Sequence, residues 1–163
     1  MIKYLGSLVG KVEESLNLVN EILQKINTIK KKTFRIKPKI YFEEWDDPYI
    51  SATRWVSEII EISGGVDIFA KKSRSQKALK RAVSSQDVIN KNPDIIFASW
   101  CGKKVNFDKI KKRQGWSSIN AVKTNSLFEI KSPIILQPGP AALTDGLLQI
   151  HDLILQWQKS QIC

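Results

Sequence analysis

Histidine, cysteine and methionine are nearly absent from this chain of 163 residues, which contains one histidine, two cysteines and one methionine. Two cysteines, Cys101 and Cys163, do not make a disulfide framework, and their spacing matches no zinc site. The one histidine, His151, leaves a single candidate for a catalytic Cys–His pair with Cys101. The chain also has no phosphate-binding glycine loop, nucleophile elbow or redox Cys-x-x-Cys motif. We therefore expect a protein that is not an enzyme.

Long apolar runs are missing as well. No stretch approaches the roughly 18 apolar residues of a membrane-spanning helix. The first residues, Met1 to Gly6, do not have the basic segment, apolar segment and cleavage site of a signal peptide. We therefore expect a cytoplasmic chain if the sequence is complete. The apolar fraction of 42% is enough for a hydrophobic core, and the length fits one domain.

Arginine is scarce, although the formal net charge is +10. Only 5 of the 26 basic residues are arginine, the residue that reads phosphates and guanine edges with paired hydrogen bonds. The lysines are spread over several segments: 30–32, 71–72, 103–104 and 111–112. This pattern indicates a solvated basic surface. We therefore expect no nucleic-acid partner.

The clearest periodicity lies at the start of the chain. Apolar residues recur at alternating steps of four and three at Leu5, Val9, Val12, Leu16, Val19, Leu23 and Ile26. The pattern predicts one long amphipathic helix over residues 1–32. About 30 helical residues would span roughly 40 Å, more than the width of a small lobe. The same spacing fits a coiled-coil seam, so a homodimer through residues 5–26 is an alternative.

After Pro38, apolar strands alternate with helical segments. The pattern predicts strands at residues 39–43, 94–100 and 126–131, and helices at 50–63, 84–91, 106–113 and near the end of the chain. Residues 71–81 have no period and are expected to form a loop or a weak helix. The alternation predicts an α/β lobe over residues 38–163, with three layers and a mostly parallel sheet.

Two predicted strands are followed by residues suited to binding. The segment from Glu43 to Tyr49 follows the first strand, and the segment from Ser99 to Lys104 follows the second. Ligands of open α/β sheets bind at the carboxyl ends of the strands. Trp45 and Trp100 would offer large rigid apolar faces there. We expect both rings to be partly exposed at neighbouring strand ends; the alternative is that they cap the core.

Four carboxylates, Glu43, Glu44, Asp46 and Asp47, follow one another closely at the first strand end. Carboxylate oxygens can hold a hard cation. Successive side chains of a strand point to opposite faces, so at most two of the four converge. We therefore expect no metal site.

The two strand-end segments resemble the second lobe of cobalamin-type substrate-binding proteins, the helical-backbone class that serves bacterial ABC importers. The resemblance rests on the motifs at 40–48, 55–58 and 64–69, on Asn92 to Ile96 with Ser99 to Lys104, and on Pro133 to Ala141. It covers nearly the whole chain. Proteins of this family have two α/β lobes joined by one long helix, and they bind their ligand in the cleft between the lobes.

The resemblance implies a role for each part of the chain. Residues 1–32 would be the bridging helix and residues 38–163 the C-terminal lobe, while the first lobe would be missing. The transported ligand would be cobalamin, a related corrinoid or an iron chelate, with no resident cofactor. The ligand wall would be formed by Trp45, Tyr49, Trp100, Glu44 and Gln137. The partners would be a permease and its ATPase, at a periplasmic location.

The resemblance also implies two departures from the family pattern. Relatives present an acidic side chain to permease arginines from the helix after the segment equivalent to Val83–Ser85. Gln86 occupies that position here, with Asp87 beside it, so docking through the usual ion pair is not expected. Without a first lobe, the apolar side chains of residues 5–12 would lack a packing partner, unless a separate first lobe or a second copy covers them. A truncated lobe that pairs without binding ligand is the alternative function, and a nucleic-acid binder is less favoured.

Overall fold

Helices and strands alternate along most of the chain. The computed structural model describes residues 1–32 and 35–161, so Cys163 lies outside the described residues. The described helices are α1 (Ile2–Leu8), α2 (Val12–Lys30), α3 (Arg54–Ile62), α4 (Ala70–Ser73), α5 (Ser85–Lys91), α6 (Phe107–Lys111), α7 (Asn120–Lys123), α8 (Ser132–Ile135) and α9 (Leu147–Ser160). The strands are β1 (Lys39–Asp46), β2 (Tyr49–Ser51), β3 (Val66–Asp67), β4 (Ile95–Ala98) and β5 (Leu127–Glu129). A π-helical turn, Ala142–Gly146, leads into α9.

The described strands form one sheet, with β2, β1, β4 and β5 as neighbours in that order and β3 beside the start of β1. β3 and β4 run parallel to β1, and β5 runs parallel to β4. This confirms the predicted α/β lobe with a mostly parallel sheet. β2 is antiparallel to β1 and was not predicted. Because Tyr49–Ser51 pair with β1, the helix expected from residue 50 begins only at Arg54.

The two faces of the sheet are covered by different helices. Alternation along β1 places Ile40 and Phe42 on one face and Tyr41 on the other. The first face, called here the α9 face, packs α2, α3, α8 and α9 around aliphatic side chains such as Ile154. The second, the α6 face, is covered by α5, α6 and α7 and contains Trp100 and Trp116. The sheet is therefore the middle of three layers.

The N-terminal segment is two helices rather than one. Gly10 has a φ of 69° in the break between α1 and α2, a conformation that suits glycine. Gly6 packs on Ser15, so that a Cβ at Gly6 would lie 2.3 Å from the Ser15 Cβ. A straight helix would separate two residues nine positions apart by about 13 Å. α1 therefore folds back against α2, and the prediction of one uninterrupted helix is wrong at this point.

α2 packs on the lobe along one side and leaves another side exposed. The packed side includes the buried residues Ser15, Ile22 and Ile29. Beside it runs an exposed apolar stripe, formed by Leu5, Leu8, Val9, Val12, Leu16 and Leu23, with exposed fractions between 39% and 72%. The apolar side chains of residues 5–12 are thus largely exposed on this chain, and the expectation that they lack a packing partner stays a prediction. None of the helices within residues 1–32 and 35–161 is long and apolar enough to cross a membrane.

Candidate functional site

The carboxyl ends of β1 and β4 lie side by side and form the candidate site. The two strands pair in parallel register up to Glu43 and Ala98, and β1 continues to Asp46. Trp45 and Tyr49, on β1 and β2, are both partly exposed and pack on the α6-face core. The partial exposure expected for Trp45 is confirmed. Its indole N–H donates to the Asp47 carbonyl at 2.8 Å, which fixes one edge of the ring.

Trp100 does not share this exposure. Its residue exposure is only 4%, and the side chain belongs to the α6-face core. Its indole N–H donates to Glu43 Oε1 at 3.0 Å. The Nζ atoms of Lys103 and Lys109 lie 5.1 Å and 5.9 Å from its ring centroid. The prediction of a partly exposed Trp100 is therefore wrong, because the ring packs in the α6-face core with side chains of the loop and helix that follow β4.

Glu43 is the centre of a buried polar network. Its side chain is fully buried, and that of Arg113 is 7% exposed. Arg113 donates two hydrogen bonds to the carboxylate, at 2.6 Å and 2.9 Å. Tyr41 donates a further hydrogen bond at 3.2 Å, beside that from Trp100. Four donors thus stabilise a carboxylate that would be costly to bury alone.

Arg113 also joins this network to the partly exposed Tyr49 and the buried Trp116. Its guanidinium carbon lies 4.3 Å from the Tyr49 ring centroid and 4.4 Å from that of Trp116, within cation–π distance. Burial alone would lower the pKa of Arg113, but the hydrogen bonds and charge of Glu43 raise it above the ordinary value. Burial, together with the charge of Glu43, raises the pKa of Tyr41 well above its usual value. Arg113 therefore stays charged and holds Tyr49 in place.

A second ion-pair group lies at the surface of the site. Asp46, with a side chain 1% exposed, accepts hydrogen bonds from Lys103 Nζ at 2.5 Å and Lys109 Nζ at 2.6 Å. The side chains of the two lysines are 42% and 55% exposed. Burial raises the pKa of Asp46, but the two lysines outweigh it and lower the pKa overall. The hydrogen bond to Asp46 raises the pKa of Lys109. Asp46 and Lys109 therefore stabilise each other in their charged forms. We call the surface formed by four residues the aromatic rim: Trp45, Tyr49, Lys103 and Lys109.

Glu44 and Gln137 are not part of the aromatic rim. Glu44 accepts two hydrogen bonds from the buried Arg81, at 2.5 Å and 3.1 Å, so its charge is compensated within the lobe. Gln137 is exposed on the segment between α8 and α9. Of the residues predicted for the ligand wall, Trp45 and Tyr49 are thus partly exposed at the same end of the sheet, and Trp100 is buried in the α6-face core.

The other predicted clusters are separated in the structure. Glu43, Glu44 and Asp46 each pair with different cations, and the described residues contain no group of three acidic, histidine or cysteine side chains placed to hold a metal ion. His151 is buried on α9, with ring nitrogens 3.1 Å from Lys32 Nζ and 3.2 Å from the Ser63 carbonyl oxygen. Cys101 is exposed in the loop after β4.

The predicted docking position lies on the first turn of α5. Gln86 is exposed and donates to Asn90 Oδ1 at 2.8 Å. Asp87 is exposed and forms the capping box of α5 with Ser84, as the Ser-x-x-Asp pattern predicts. Hydrogen bonds from the Ser84 backbone and side chain lower the pKa of Asp87. Its carboxylate is therefore already used within the chain.

Three cavities of the described residues differ in their place and lining, and so in how well they suit a ligand. One of about 410 Å³ lies beside the aromatic rim, lined by residues including Asp46, Pro48, Tyr49, Lys109 and Arg113. A larger one, of about 720 Å³, lies away from the strand ends between α2 and α3, and its lining is mostly charged. An apolar one of about 530 Å³ lies between α1 and residues 138–143. The chemistry favours the first, because it combines the Tyr49 ring with the charged donors Lys109 and Arg113 at the carboxyl ends of the strands.

Two cations of the site were missed in the sequence. Lys109 and Arg113 lie on and after α6 in a segment rich in lysine, where they look like ordinary surface residues. Their partners, Asp46 and Glu43, are more than 60 residues away in the chain. Lys103 had a weak signal, because it directly follows a strand exit.

Comparison with known proteins gives consistent matches. A family model described as periplasmic binding protein matches residues 1–134. An uncharacterized ABC transporter substrate-binding lipoprotein, YvrC of Bacillus subtilis (strain 168), is 23% identical over 160 residues, which are 94% of this chain and 48% of that protein. A solved structure of a possible iron-binding (periplasmic solute-binding) protein from Staphylococcus epidermidis ATCC 12228 is 25% identical with a TM-score of 0.76, covering 94% of this chain and 59% of that one.

Two further solved structures share the fold at lower identity. IsdE of S. aureus, complexed with heme, is 23% identical with a TM-score of 0.68, covering 94% of this chain and 62% of IsdE. The periplasmic vitamin B12 binding protein BtuF of Vibrio cholerae is 20% identical with a TM-score of 0.61, covering 92% of this chain and 54% of BtuF. The chain thus spans about half the length of the curated relative and about three fifths of these solved chains.

Proposed function

The chain belongs to the periplasmic binding protein family, and from this membership we propose that it is one lobe of an ABC-importer substrate-binding protein. Its ligand would rest on the aromatic rim. The chain would correspond to the C-terminal lobe, because its strand-end motifs resemble that lobe, and its match covers only part of each relative. Its role would be to bind and present a ligand rather than to transform it.

The observation that carries this proposal is the partial exposure of Trp45 and Tyr49 at the carboxyl edge of a mostly parallel sheet, where Tyr49 also lines a cavity. Open α/β sheets bind ligands at this edge. Arg113, which is paired with the buried Glu43, lies against the Tyr49 ring, and the Trp45 indole donates to the Asp47 carbonyl. Rigid rings lose little conformational entropy on binding, so such a surface suits a flat ligand.

The ligand class we propose is a macrocycle or an iron chelate. The solved relatives named above are a possible iron-binding protein, a protein complexed with heme and a vitamin B12 binding protein. Cobalamin is therefore one candidate among several. Trp45 and Tyr49 would contact the ring, and Trp100 would act as the support beneath them. Glu44 and Gln137 would contribute at most polar contacts from the edges, because Glu44 is already paired with Arg81.

A second lobe would complete the cleft. The exposed apolar stripe on α1 and α2 is the surface that we propose it covers. Covering an apolar side chain gains about 1.5–3 kcal/mol if it becomes fully buried.

A lone chain should therefore bind an apolar dye such as ANS at the stripe, and a Leu8→Glu/Leu16→Glu variant should bind less of the dye. Self-association that the same variant abolishes would instead favour the alternative, a protein that pairs through residues 5–26.

The proposed partners of the complete protein are a permease and its ATPase, at a periplasmic location. The docking surface would include the start of α5. Gln86 carries no charge and Asp87 is engaged in its capping box. Docking would therefore depend less on an ion pair at this lobe than the family pattern implies.

Titration of the chain with hemin, cobalamin and a ferric hydroxamate, followed by ligand absorbance, tests the proposal. One wall contacts about half of the ligand, so we expect micromolar or weaker affinity for at least one ligand. Trp45→Ala should weaken binding about fivefold to tenfold, since it removes a stacking face. Tyr4→Ala is the matched control, because Tyr4 is an exposed aromatic residue on α1. The proposal is wrong if none of the ligands binds saturably, or if both variants weaken binding equally.

A further inference from the structure

A basic segment without acidic residues lies between β3 and α5. Residues 71–80, called here the basic segment, include the end of α4 and most of a 3₁₀ turn, Ala78–Arg81. Five of these ten residues are basic and none is acidic: Lys71, Lys72, Arg74, Lys77 and Lys80. All five are exposed. The segment is therefore a patch of positive charge at the surface.

Most of this charge is not balanced within the described lobe. Lys72 is the exception, because it helps to lower the pKa of Asp87, behind the stronger effect of the Ser84 hydrogen bonds. The other four basic side chains form no ion pair with any residue that the structure describes: Lys71, Arg74, Lys77 and Lys80. Their charges are free to attract an anionic partner.

Both ends of the basic segment are fixed on the lobe. Just before it, the Phe69 N–H donates to Asp67 Oδ1 at 2.9 Å. Just after it, Arg81 is buried. Lys72 Nζ links the two ends, since it donates to the Ala82 carbonyl oxygen at 2.8 Å. The exposed charges thus stand on a fixed base, which reduces the entropy lost when a partner binds.

An exposed apolar side chain lies among these charges. Leu79 is 77% exposed, the highest value of any large apolar side chain in the described part of the chain. Lys77 and Lys80 lie on either side of it in the sequence and are also exposed. This combination suits the surface of a bilayer, where an apolar side chain enters the boundary of the acyl chains and the cations remain at the headgroups.

A nucleic acid would use this surface less fully. Its phosphates would pair with the lysines but would leave Leu79 in water. The basic segment contains no aromatic side chain on which a base could stack, and Arg74 is its only arginine. The observations therefore favour a lipid bilayer over a nucleic acid.

We propose that the basic segment docks on an anionic lipid bilayer, with its four unpaired cations at the headgroups and Leu79 at the boundary of the acyl chains. Each lysine or arginine near such a surface raises the affinity about fivefold. The 3₁₀ turn ends shortly before α5, whose start is the predicted permease-docking position. A chain that docked there would bring the basic segment close to the surrounding membrane. The lipid surface goes beyond the proposed function, because it needs no ligand on the aromatic rim.

Vesicle sedimentation with the full chain tests this proposal. One set of vesicles is an equal mixture of phosphatidylglycerol and phosphatidylcholine, and the other is phosphatidylcholine alone. We expect binding to the mixed vesicles, little binding to phosphatidylcholine, and loss of binding in high salt because the charges are screened. Leu8→Ser/Leu16→Ser, which changes the exposed apolar stripe, should bind the mixed vesicles as the wild-type chain does.

Variants connect this binding to the basic segment. Lys77→Gln/Lys80→Gln should weaken binding to the mixed vesicles about tenfold to thirtyfold, whereas Lys77→Arg/Lys80→Arg should keep it. The matched control is Lys30→Gln/Lys31→Gln, which removes the same charge from another run of exposed lysines and should weaken binding no more than about twofold. Leu79→Ser should weaken binding about threefold, since it removes the apolar contact.

Four outcomes would overturn the docking surface. The first is no binding to the mixed vesicles, and the second is equal losses in the two lysine-to-glutamine variants, which would mean that net charge alone attracts the chain. The third is binding to phosphatidylcholine that Leu8→Ser/Leu16→Ser abolishes, which would assign membrane binding to the apolar stripe. The fourth is vesicle binding that Leu79→Ser leaves unchanged, together with binding to a short DNA duplex that Lys77→Gln/Lys80→Gln abolishes, which would assign the segment to nucleic acid. Each of these leaves the ligand titration, and with it the proposed function, unaffected.

Discussion

The two faces of the sheet are built on different principles. The α9 face is an apolar core in which Ile150 and Ile154 pack against strand residues without charged partners. The α6 face contains tryptophan and tyrosine rings around the fully buried Glu43 and its partner Arg113. Apolar packing tolerates small changes gradually, whereas a buried charge depends on its partner. The α6 face, beneath the aromatic rim, should therefore tolerate substitutions less well than the α9 face, and its ion pair fixes the positions of its side chains.

The largest effect should come from breaking the buried ion pair. Arg113→Met leaves Glu43 charged and unpaired, and we expect a loss of about 3–5 kcal/mol in the free energy of unfolding, measured with urea. Adding Glu43→Gln should recover part of this loss, because the uncompensated charge disappears. Arg54→Met is the control, since Arg54 forms an exposed ion pair with Glu58 and should change the free energy by less than about 0.5 kcal/mol. Equal losses for both arginine variants would contradict the described difference between the faces.

A cavity on the α9 face should have a somewhat smaller effect. Ile154 is fully buried, and Ile154→Ala should cost about 3 kcal/mol through lost apolar contacts. Because no charge is involved, the loss should be the same at low and high salt. Leu148→Ala, on the same helix at a position 38% exposed, should cost less than about 1 kcal/mol. A strong salt dependence of the Ile154 variant would show that this face is not the apolar core described here.

Two aspartates should respond to pH in opposite directions. The lysines lower the pKa of Asp46 in the folded protein, so its stabilisation is present above the unfolded value of about 3.9 and is lost as the pH falls through the lower folded pKa. At neutral pH, Asp46→Asn should cost about 1–2 kcal/mol, and in acid this difference should disappear. Urea unfolding at several pH values measures it. A difference that stays constant down to the acid limit would contradict the ion pairs.

Asp67 provides the opposite case on the same sheet. Burial raises its pKa in the folded protein, so the charged form opposes folding and stability is lost as the pH rises from the unfolded value through the folded pKa. Asp67→Asn should therefore become more stable relative to wild type as the pH rises. The Asp67 Oδ1 hydrogen bond to the Phe69 N–H can be kept by asparagine. The same pH trend for both variants would show that one of the two environments is misassigned.

The smallest effect should come from the helix caps. On the α6 face, Ser84 caps α5 in a capping box, and Ser84→Ala should cost about 1 kcal/mol. On the α9 face, Thr53 precedes α3 without a capping hydrogen bond from its side chain. Thr53→Ala should therefore cost only a few tenths of a kcal/mol by the same measurement. The reverse order would mean that the Ser84 cap does not form in solution.

The sequence predicted the elements that depend on local pattern. The strands around residues 40 and 95 and the cap at Ser84 have signals within a few residues. It missed β2, because three residues of hairpin after Pro48 are stable only through their pairing with β1. It also missed the break at Gly10, because the apolar period continues across it while the backbone changes direction.

The residues of the candidate site also fall into two groups, those predicted from the local sequence and those that depend on contacts between distant segments. Trp45 and Tyr49 were predicted from their position after a strand, which the chain order alone reveals. The burial of Trp100 was not predicted, since it depends on the α6-face core that the segments after β4 complete around its ring. Nothing near Arg113 in the sequence indicates that it pairs with Glu43, because the two residues are 70 positions apart.

By itself, the sequence determined the layered α/β lobe, its family and the strand ends where a ligand would bind, because these follow from periodicity and from motifs within short segments. Only the tertiary structure decided which side chains at these strand ends are exposed and which are buried. The reason is that burial and charge pairing are set by segments far apart in the chain. The same residue type, tryptophan, is partly exposed at position 45 and buried at position 100, because the α6-face core encloses only the second ring.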